Sequence, residues 1–128
     1  MTACNQAQGS YQQLPAGTKL EVWTEGDATA FSSACDIVGP VAAEDVSFNH
    51  QQLVNQAPPN APNKPALTGG TAYFVRFTVT FHTNGVTRAH LGVRVSQGGT
   101  QIRPRIHCWI EGKAANGTMS QIFFVSTN

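Results

Sequence analysis

The residues best suited to chemistry in this chain are basic and aromatic, and they concentrate between positions 76 and 109. All five arginines fall in that stretch, together with histidines and a tryptophan. Guanidinium groups form bidentate pairs with carboxylates and phosphates, and indole rings supply large amphipathic contact surfaces. The candidate binding or interface residues are Arg76, Arg88, His90, Arg94, Arg103, Arg105, His107 and Trp109.

The elements that must position these residues are strands, because apolar and polar residues alternate over much of residues 73–110. A period of two is typical of a half-buried strand. We predict a three-stranded meander with a three-residue loop at Thr83-Asn84-Gly85 and a two-residue turn at Gly98-Gly99. The candidate residues then share the polar face of one sheet.

The register of this meander follows from its apolar face. A slip of one residue would turn a strand's apolar side chains to the wrong side of the sheet. We therefore predict that Val79 lies opposite Ala89 and that Val95 lies opposite Ile102. Continued along the third strand, the same register places Leu91 opposite Ile106.

On the polar face, this register sets like residues against each other. Arg94 lies across from Arg103, and His90 lies across from His107. Because like charges directly opposite each other destabilise a sheet, something must offset them. Water and salt, acidic side chains of the N-terminal half, a neighbouring subunit and an anionic ligand are the alternatives.

Charge is sparse and unevenly placed. Charged residues make up 12% of the chain, about half the usual share, and the net charge of +1 argues against general nucleic-acid binding. Residues 1–64 hold six acidic residues against two lysines, whereas residues 65–128 hold five arginines and one lysine against one glutamate. Either the two halves pack together and neutralise each other, or subunits meet head to tail.

The fold class that we predict is all-β. Seven to eight short strands separated by Gly, Pro and Asn turns indicate a single antiparallel β-sandwich or jelly roll over residues 1–128, with the meander near its C-terminal end. Residues 1–17 form a polar N-terminal arm, and residues 57–70 form a Pro/Gly-rich loop. The closing strand, Gln121–Ser126, is apolar on both faces, so we expect it to be covered on both sides.

The remaining chemistry of the sequence is limited. Cys35 and Cys108 fall on apolar faces as buried free thiols, with a bridge between them as the alternative, and Cys4 is unassigned. We expect no metal or cofactor, because His90 and His107 alone do not complete a zinc site. Catalytic motifs, a membrane-spanning segment and a signal peptide are not visible in the sequence.

Several short motifs resemble those of C1q/TNF-like jelly-roll domains. They are Ala30-Phe31-Ser32, Val46-Ser47-Phe48-Asn49, the run from Gly70 to Phe81, and the Phe-rich strand that ends at Val125. The resemblance covers Ala30 to Val125, although the chain is short between Ile110 and Thr118 for the usual extra strands. It implies a compact trimer that binds a receptor, glycan or scaffold and has no catalytic activity.

From these observations we expect a non-enzymatic structural or assembly protein of a multi-subunit particle. A virion decoration, capsid-associated or fibre-type subunit fits best, as a homotrimer located in a virion or outside the cell. The alternative is a lectin-like carbohydrate-binding module with Trp109 at its site, and a small hydrolase is a more distant one. The expected partners are further copies of the chain within a larger protein assembly, with a glycan as the alternative, and neither nucleic acid nor a membrane.

Overall fold

The computed structural model describes residues 2–4, 11–27, 29–38, 43–46, 50–51, 67–70 and 72–127, with residues 38, 43–46 and 50–51 described by their backbone alone. Regular structure within these ranges is entirely β, which confirms the predicted class. The described strands are β1 (Thr2–Ala3), β2 (Tyr11–Leu14), β3 (Lys19–Glu25), β4 (Phe31–Val38), β5 (Ala43–Val46), β6 (His50–Gln51), β7 (Ala72–Phe81), β8 (Thr87–Gln97), β9 (Thr100–Gln101), β10 (Ile106–Gly112) and β11 (Thr118–Thr127).

The strands form two sheets packed against each other, so the predicted β-sandwich is confirmed. Sheet A has the order β1-β10-β8-β3-β6, with β9 paired to the C-terminal end of β8. Sheet B has the order β2-β11-β7-β4-β5. The long strands pair antiparallel, as predicted. Both sheets are nevertheless mixed, because three short outer strands, β1, β2 and β6, add in parallel.

The hydrophobic core lies between the two sheets and is built from alternate residues of the long strands. Phe77 of sheet B and Leu91 of sheet A are both fully buried, as their alternation predicts. The rings of Phe77 and Phe123 meet edge to face, with their centroids 5.9 Å apart. Each fully buried side chain of this size stabilises the fold by about 1.5–3 kcal/mol relative to an exposed one.

The predicted meander is wrong at its first connection. Strand β7 lies in sheet B between β4 and β11, whereas β8 lies in sheet A between β3 and β10. Val79 therefore lies opposite Ser33 and Met119, and not opposite Ala89. Alternation shows which side chains point to the core. It does not show whether the next strand pairs in the same sheet or packs across the sandwich.

The predicted turn at Gly98-Gly99 is confirmed. Both glycines have positive φ, 58° and 81°, and β8 and β9 pair on either side of them. The Ile102 amide donates to the Val95 carbonyl at 3.1 Å, so these two residues pair as predicted.

Beyond Ile102 the register between β8 and β10 shifts by two residues. Ile106 lies opposite Val93 and not opposite Leu91 as predicted. The Tyr11 hydroxyl lies where the β8–β10 ladder is interrupted, and it accepts a hydrogen bond of 2.9 Å from the Ile106 amide. It is within donating distance of the carbonyls of Val93 at 2.9 Å and Pro104 at 2.8 Å. Pro104 has no amide hydrogen with which to continue the ladder.

Residues 1–17 were predicted to form a polar N-terminal arm. Their described parts, residues 2–4 and 11–17, instead belong to the sandwich. Strand β1 joins sheet A, β2 joins sheet B, and Tyr11 and Leu14 are buried. Of the predicted loop, residues 57–66 lie outside the described residues, and Leu67 is buried in the core.

Cys108 forms a disulfide with Cys4, so the predicted free thiol at Cys108 and its alternative bridge to Cys35 are both wrong. Cys35 is a free and buried thiol, as predicted. The disulfide lies next to the parallel pairing of Thr2 with Cys108, and it therefore fastens β1 to β10 covalently.

Candidate interface on the outer sheet faces

The two outer faces of the sandwich divide the predicted site residues between them. The outer face of sheet A carries Arg88, His90, Arg94, His107 and Trp109. Arg76 lies instead on the outer face of sheet B, and Arg103 and Arg105 lie in the segment between β9 and β10. The prediction of one shared face is wrong, because β7 and β8 belong to different sheets.

The predicted like-with-like pairs are also wrong. Arg94 lies opposite Glu21 of β3, not opposite Arg103. His90 lies between Glu25 of β3 and Trp109 of β10, because the shifted register moves His107 beside Gly92. These partners come from distant parts of the sequence, so the alternation within the meander could not reveal them.

Acidic side chains of the same chain offset the strand arginines. The ion pairs are Arg76–Asp36, Arg88–Glu111 and Arg94–Glu21. Two of these carboxylates belong to the acidic N-terminal half, so the two halves neutralise each other within one chain. The two more exposed pairs, Arg76–Asp36 and Arg88–Glu111, are worth about 0–1 kcal/mol each, whereas Glu21 in the third pair is buried. Each of these three arginines is thus neutralised by a carboxylate of its own chain.

Trp23 covers the centre of the outer face of sheet A and is fully buried. A Cβ atom placed on Gly92 would lie 2.1 Å from the indole ring, so only glycine lets the ring approach the backbone of β8 this closely. The ring centroid lies 6.1 Å from that of His107 on the next strand. Trp23, Gly92 and His107 therefore form a covered row across three strands.

A buried polar cluster lies beside Trp23. Glu25 is fully buried, its Oε1 accepts from Trp23 Nε1 at 3.1 Å, and its Oε2 lies 3.3 Å from His107 Nε2 without hydrogen-bond geometry. Burial raises the pKa of the Glu25 carboxyl. Burial, with Arg105 and His90 nearby, lowers the pKa of His107 to about 4. Both groups are thus held towards their neutral forms.

Neutral imidazole is a metal ligand, and a carboxyl beside it can exchange a proton with it. Burial also lowers the pKa of His90. Among the residues that the structure describes, however, no group of three or more His, Cys, Asp or Glu is arranged to hold a metal ion. The cluster therefore places two largely neutral titratable groups side by side, without a hydrogen bond between them.

Trp109, the predicted sugar-stacking residue, is already covered on one face. The guanidinium carbon of Arg88 lies over the indole, 4.0 Å from the ring centroid, in a cation–π contact. Arg88 Nε also pairs with Glu111 Oε1 at 3.2 Å. A sugar ring on that side of Trp109 would have to displace Arg88 from both contacts.

Two cavities lie at the edge of the sandwich where β10 faces β11. The larger, of about 390 Å³, is lined by Phe81, Gly112 and the loop that follows β10. The smaller, of about 260 Å³, is lined partly by Trp109, and both share Glu111 and Met119. The described residues that line them include neither histidine nor cysteine.

The outer face of sheet B carries a group of large apolar side chains, which we call the apolar face: Phe74 and Ile122, which are exposed, and Phe124, which is half-buried. Phe74 is 47% exposed and Ile122 is 48% exposed. Phe74 lies opposite Phe124 on the neighbouring strand, and their ring centroids are 5.6 Å apart. The apolar pattern of β11 predicted cover on both sides, but this chain alone leaves Ile122 open to solvent.

Comparison with protein-family models, with curated proteins and with solved structures yields no match to this chain. The resemblance to C1q/TNF-like domains therefore stays a prediction. In the part of the chain that the structure describes, no helix has the length and apolar character needed to cross a membrane.

Proposed function

We propose that the protein is a non-enzymatic structural subunit of a multi-subunit particle, of the virion decoration, capsid-associated or fibre type. It assembles as a homo-oligomer through the apolar face. The observation that carries this proposal is the exposure of Phe74 and Ile122 on a regular sheet surface. Exposed clusters of large apolar side chains mark sites of protein interaction.

The charge distribution supports an assembly role. Three of the five arginines pair with acids of their own chain, so they are not left as a basic patch for nucleic acid. The Cys4–Cys108 disulfide suits an oxidising environment such as a virion surface or the extracellular space. The trimer that the C1q/TNF-like resemblance implies is the first stoichiometry to test.

The experiment is a measurement of mass in solution by sedimentation velocity and native mass spectrometry. We expect the wild type to be oligomeric. The double variant Phe74→Ser/Ile122→Ser should dissociate to monomers with an unchanged circular dichroism spectrum, because both side chains lie outside the core.

The matched control is Val86→Ser, since Val86 is an equally apolar residue that is 65% exposed outside the apolar face. This variant should keep the wild-type mass. A wild type that remains monomeric at all concentrations would contradict the proposal, as would a double variant that assembles like the control.

Glycan binding is the alternative function, and the two tryptophans give it less support. Trp23 is fully buried, and one face of Trp109 is occupied by Arg88. A glycan array probed with the wild type and with Trp109→Ala tests it directly. If the wild type is a monomer that binds a glycan, and Trp109→Ala does not bind it, the lectin-like function is favoured.

A further inference from the structure

We propose that Asn116 is a site of spontaneous deamidation, and that the fold selects it over the second Asn-Gly pair of the chain, Asn84-Gly85. This inference goes beyond the proposed function and does not depend on it. Asn116 is exposed in the turn between β10 and β11, and glycine follows it. Glycine hinders the reaction least, because the attacking backbone nitrogen belongs to a residue without a side chain.

In this reaction the backbone nitrogen of Gly117 attacks Cγ of Asn116. The N–Cγ bond forms, the Cγ–Nδ2 bond breaks, and Nδ2 leaves as ammonia with the proton of the Gly117 amide. Water then opens the succinimide ring that results. Opening at Cγ gives aspartate, whereas opening at the main-chain carbonyl gives isoaspartate, in which the backbone runs through the side chain. Water is the co-reactant, and no atom is oxidised or reduced.

The pair Asn84-Gly85 lies in the neighbouring turn and is restrained at both reacting groups. Oδ1 of Asn84 accepts a hydrogen bond from the Ala115 amide at 3.1 Å. The Gly85 amide donates to the Lys113 carbonyl, also at 3.1 Å. Both distances are within the usual range for such bonds. The side chain and the attacking nitrogen of this pair are therefore each held away from the other.

The pair Asn116-Gly117 is restrained less. Within the described residues, the Asn116 side chain makes no hydrogen bond. The Gly117 amide donates to the Ala114 carbonyl at 3.3 Å, which is longer than usual. A Cβ atom placed on Gly117 would meet that carbonyl oxygen, 3.2 Å away, and no other described atom outside the adjoining residues. The attacking nitrogen is thus weakly held and has open space beside it.

The product would alter the start of β11. The Asn116 amide donates to the Phe81 carbonyl at 2.8 Å, and the Phe81 amide donates to the Gly117 carbonyl at 2.9 Å. Isoaspartate adds one backbone atom between these two bonds. Both bonds cannot then keep their present geometry, so the pairing of Thr118 with Thr80 should weaken in the isoaspartyl form.

The test is prolonged incubation of the folded wild type at mildly alkaline pH, followed by proteolysis and mass spectrometry of the two Asn-Gly peptides. Asn116 should react about tenfold or more faster than Asn84, because hydrogen bonds that restrain a reactant are worth about that factor. In the chain unfolded by urea, where these hydrogen bonds are absent, the two sites should react at similar rates.

The matched variant is Gly117→Ala, whose methyl group hinders attack on Asn116 and leaves Asn84-Gly85 unchanged. It should slow deamidation at Asn116 alone. Circular dichroism should show a folded chain, because Gly117 does not have a positive φ. Similar rates at the two sites of the folded wild type, a faster reaction at Asn84, or no reaction at Asn116 would overturn the proposal. An equal preference for Asn116 in urea would also overturn it, since the fold would not be the cause.

Discussion

Tyr11 and Ile106 lie 95 residues apart in the sequence, and a hydrogen bond of 2.9 Å runs from the Ile106 amide to the Tyr11 hydroxyl. The same hydroxyl is close to two carbonyls, those of Val93 and Pro104. One side chain from β2 in sheet B therefore satisfies backbone groups of sheet A where the β8–β10 ladder is interrupted. Burial raises the pKa of Tyr11 to about 12, so the phenol stays protonated and able to donate.

Tyr11→Phe should destabilise the fold by about 1–3 kcal/mol, because it leaves buried backbone groups without a partner. Urea denaturation with circular dichroism measures the change. Tyr73→Phe is the control, since its hydroxyl accepts an exposed hydrogen bond from the Thr68 amide at 3.0 Å. A loss in Tyr11→Phe no larger than in the control would show that the hydroxyl does not hold the interruption together.

Gly92→Ala should destabilise the fold by about 1–3 kcal/mol or more, because its Cβ would overlap the Trp23 ring. The same substitution should cost less in a Trp23→Phe background, where the ring is smaller. Thermal unfolding of the four proteins of this double-mutant cycle gives the coupling energy. Additive effects would mean that the ring does not lie on Gly92.

Stability should fall as the pH drops below about 6.5, because the pKa of His107 is lower in the folded chain than the ordinary value of 6.5. A group with a lowered folded pKa stabilises the fold above its unfolded pKa and loses that contribution as the pH falls towards about 4. At about 1.4 kcal/mol per pKa unit, the loss is about 3 kcal/mol.

In the variant His107→Gln, the free energy of unfolding should fall less between pH 7 and pH 4 than it does in the wild type. Glu25 acts in the opposite sense. Its raised pKa favours the protonated carboxyl, so its contribution is full at low pH and is lost as the pH rises. Glu25→Gln should therefore stabilise the protein on the neutral side. If His107→Gln loses as much stability in acid as the wild type, a titrating group other than His107 causes the loss.

Reduction of the Cys4–Cys108 disulfide, or the substitution Cys4→Ala, should destabilise the fold by about 3–5 kcal/mol, because the bridge closes a long loop across 104 positions of sequence. Thermal unfolding with and without dithiothreitol measures the effect. Cys35→Ala should keep its sensitivity to the reductant, since Cys35 is a free thiol. A melting temperature that is the same with and without dithiothreitol would contradict the Cys4–Cys108 disulfide.

Alternation along a strand predicted which side chains are buried but not the sheet to which the strand belongs. Val79 and Ala89 both point into the core as predicted, yet they belong to opposite sheets. The turn at Gly98-Gly99 was predictable because its chemistry is local. The shift after Ile102 was not, because Tyr11 enters from far upstream.

The candidate site, too, could be predicted from the sequence only in its local features. The basic residues were visible in the sequence, but their acidic partners, such as Glu21 for Arg94, depend on which distant strands become neighbours. The apolar face could be seen in part, since β11 alternates Ile122 and Phe124 with buried residues. Its pairing with Phe74 required the β7–β11 register.

The order in which strands become neighbours has a consequence for how the chain is made. Strand β1 pairs with β10 and β2 pairs with β11, so β1 and β2 cannot pair until β10 and β11 have been synthesised. During synthesis, residues 2–14 leave the ribosome long before residues 106–127 can receive them. Such long-range pairing slows folding and leaves strand edges open to misassembly in the meantime. The sandwich can therefore close only after translation has passed residue 127.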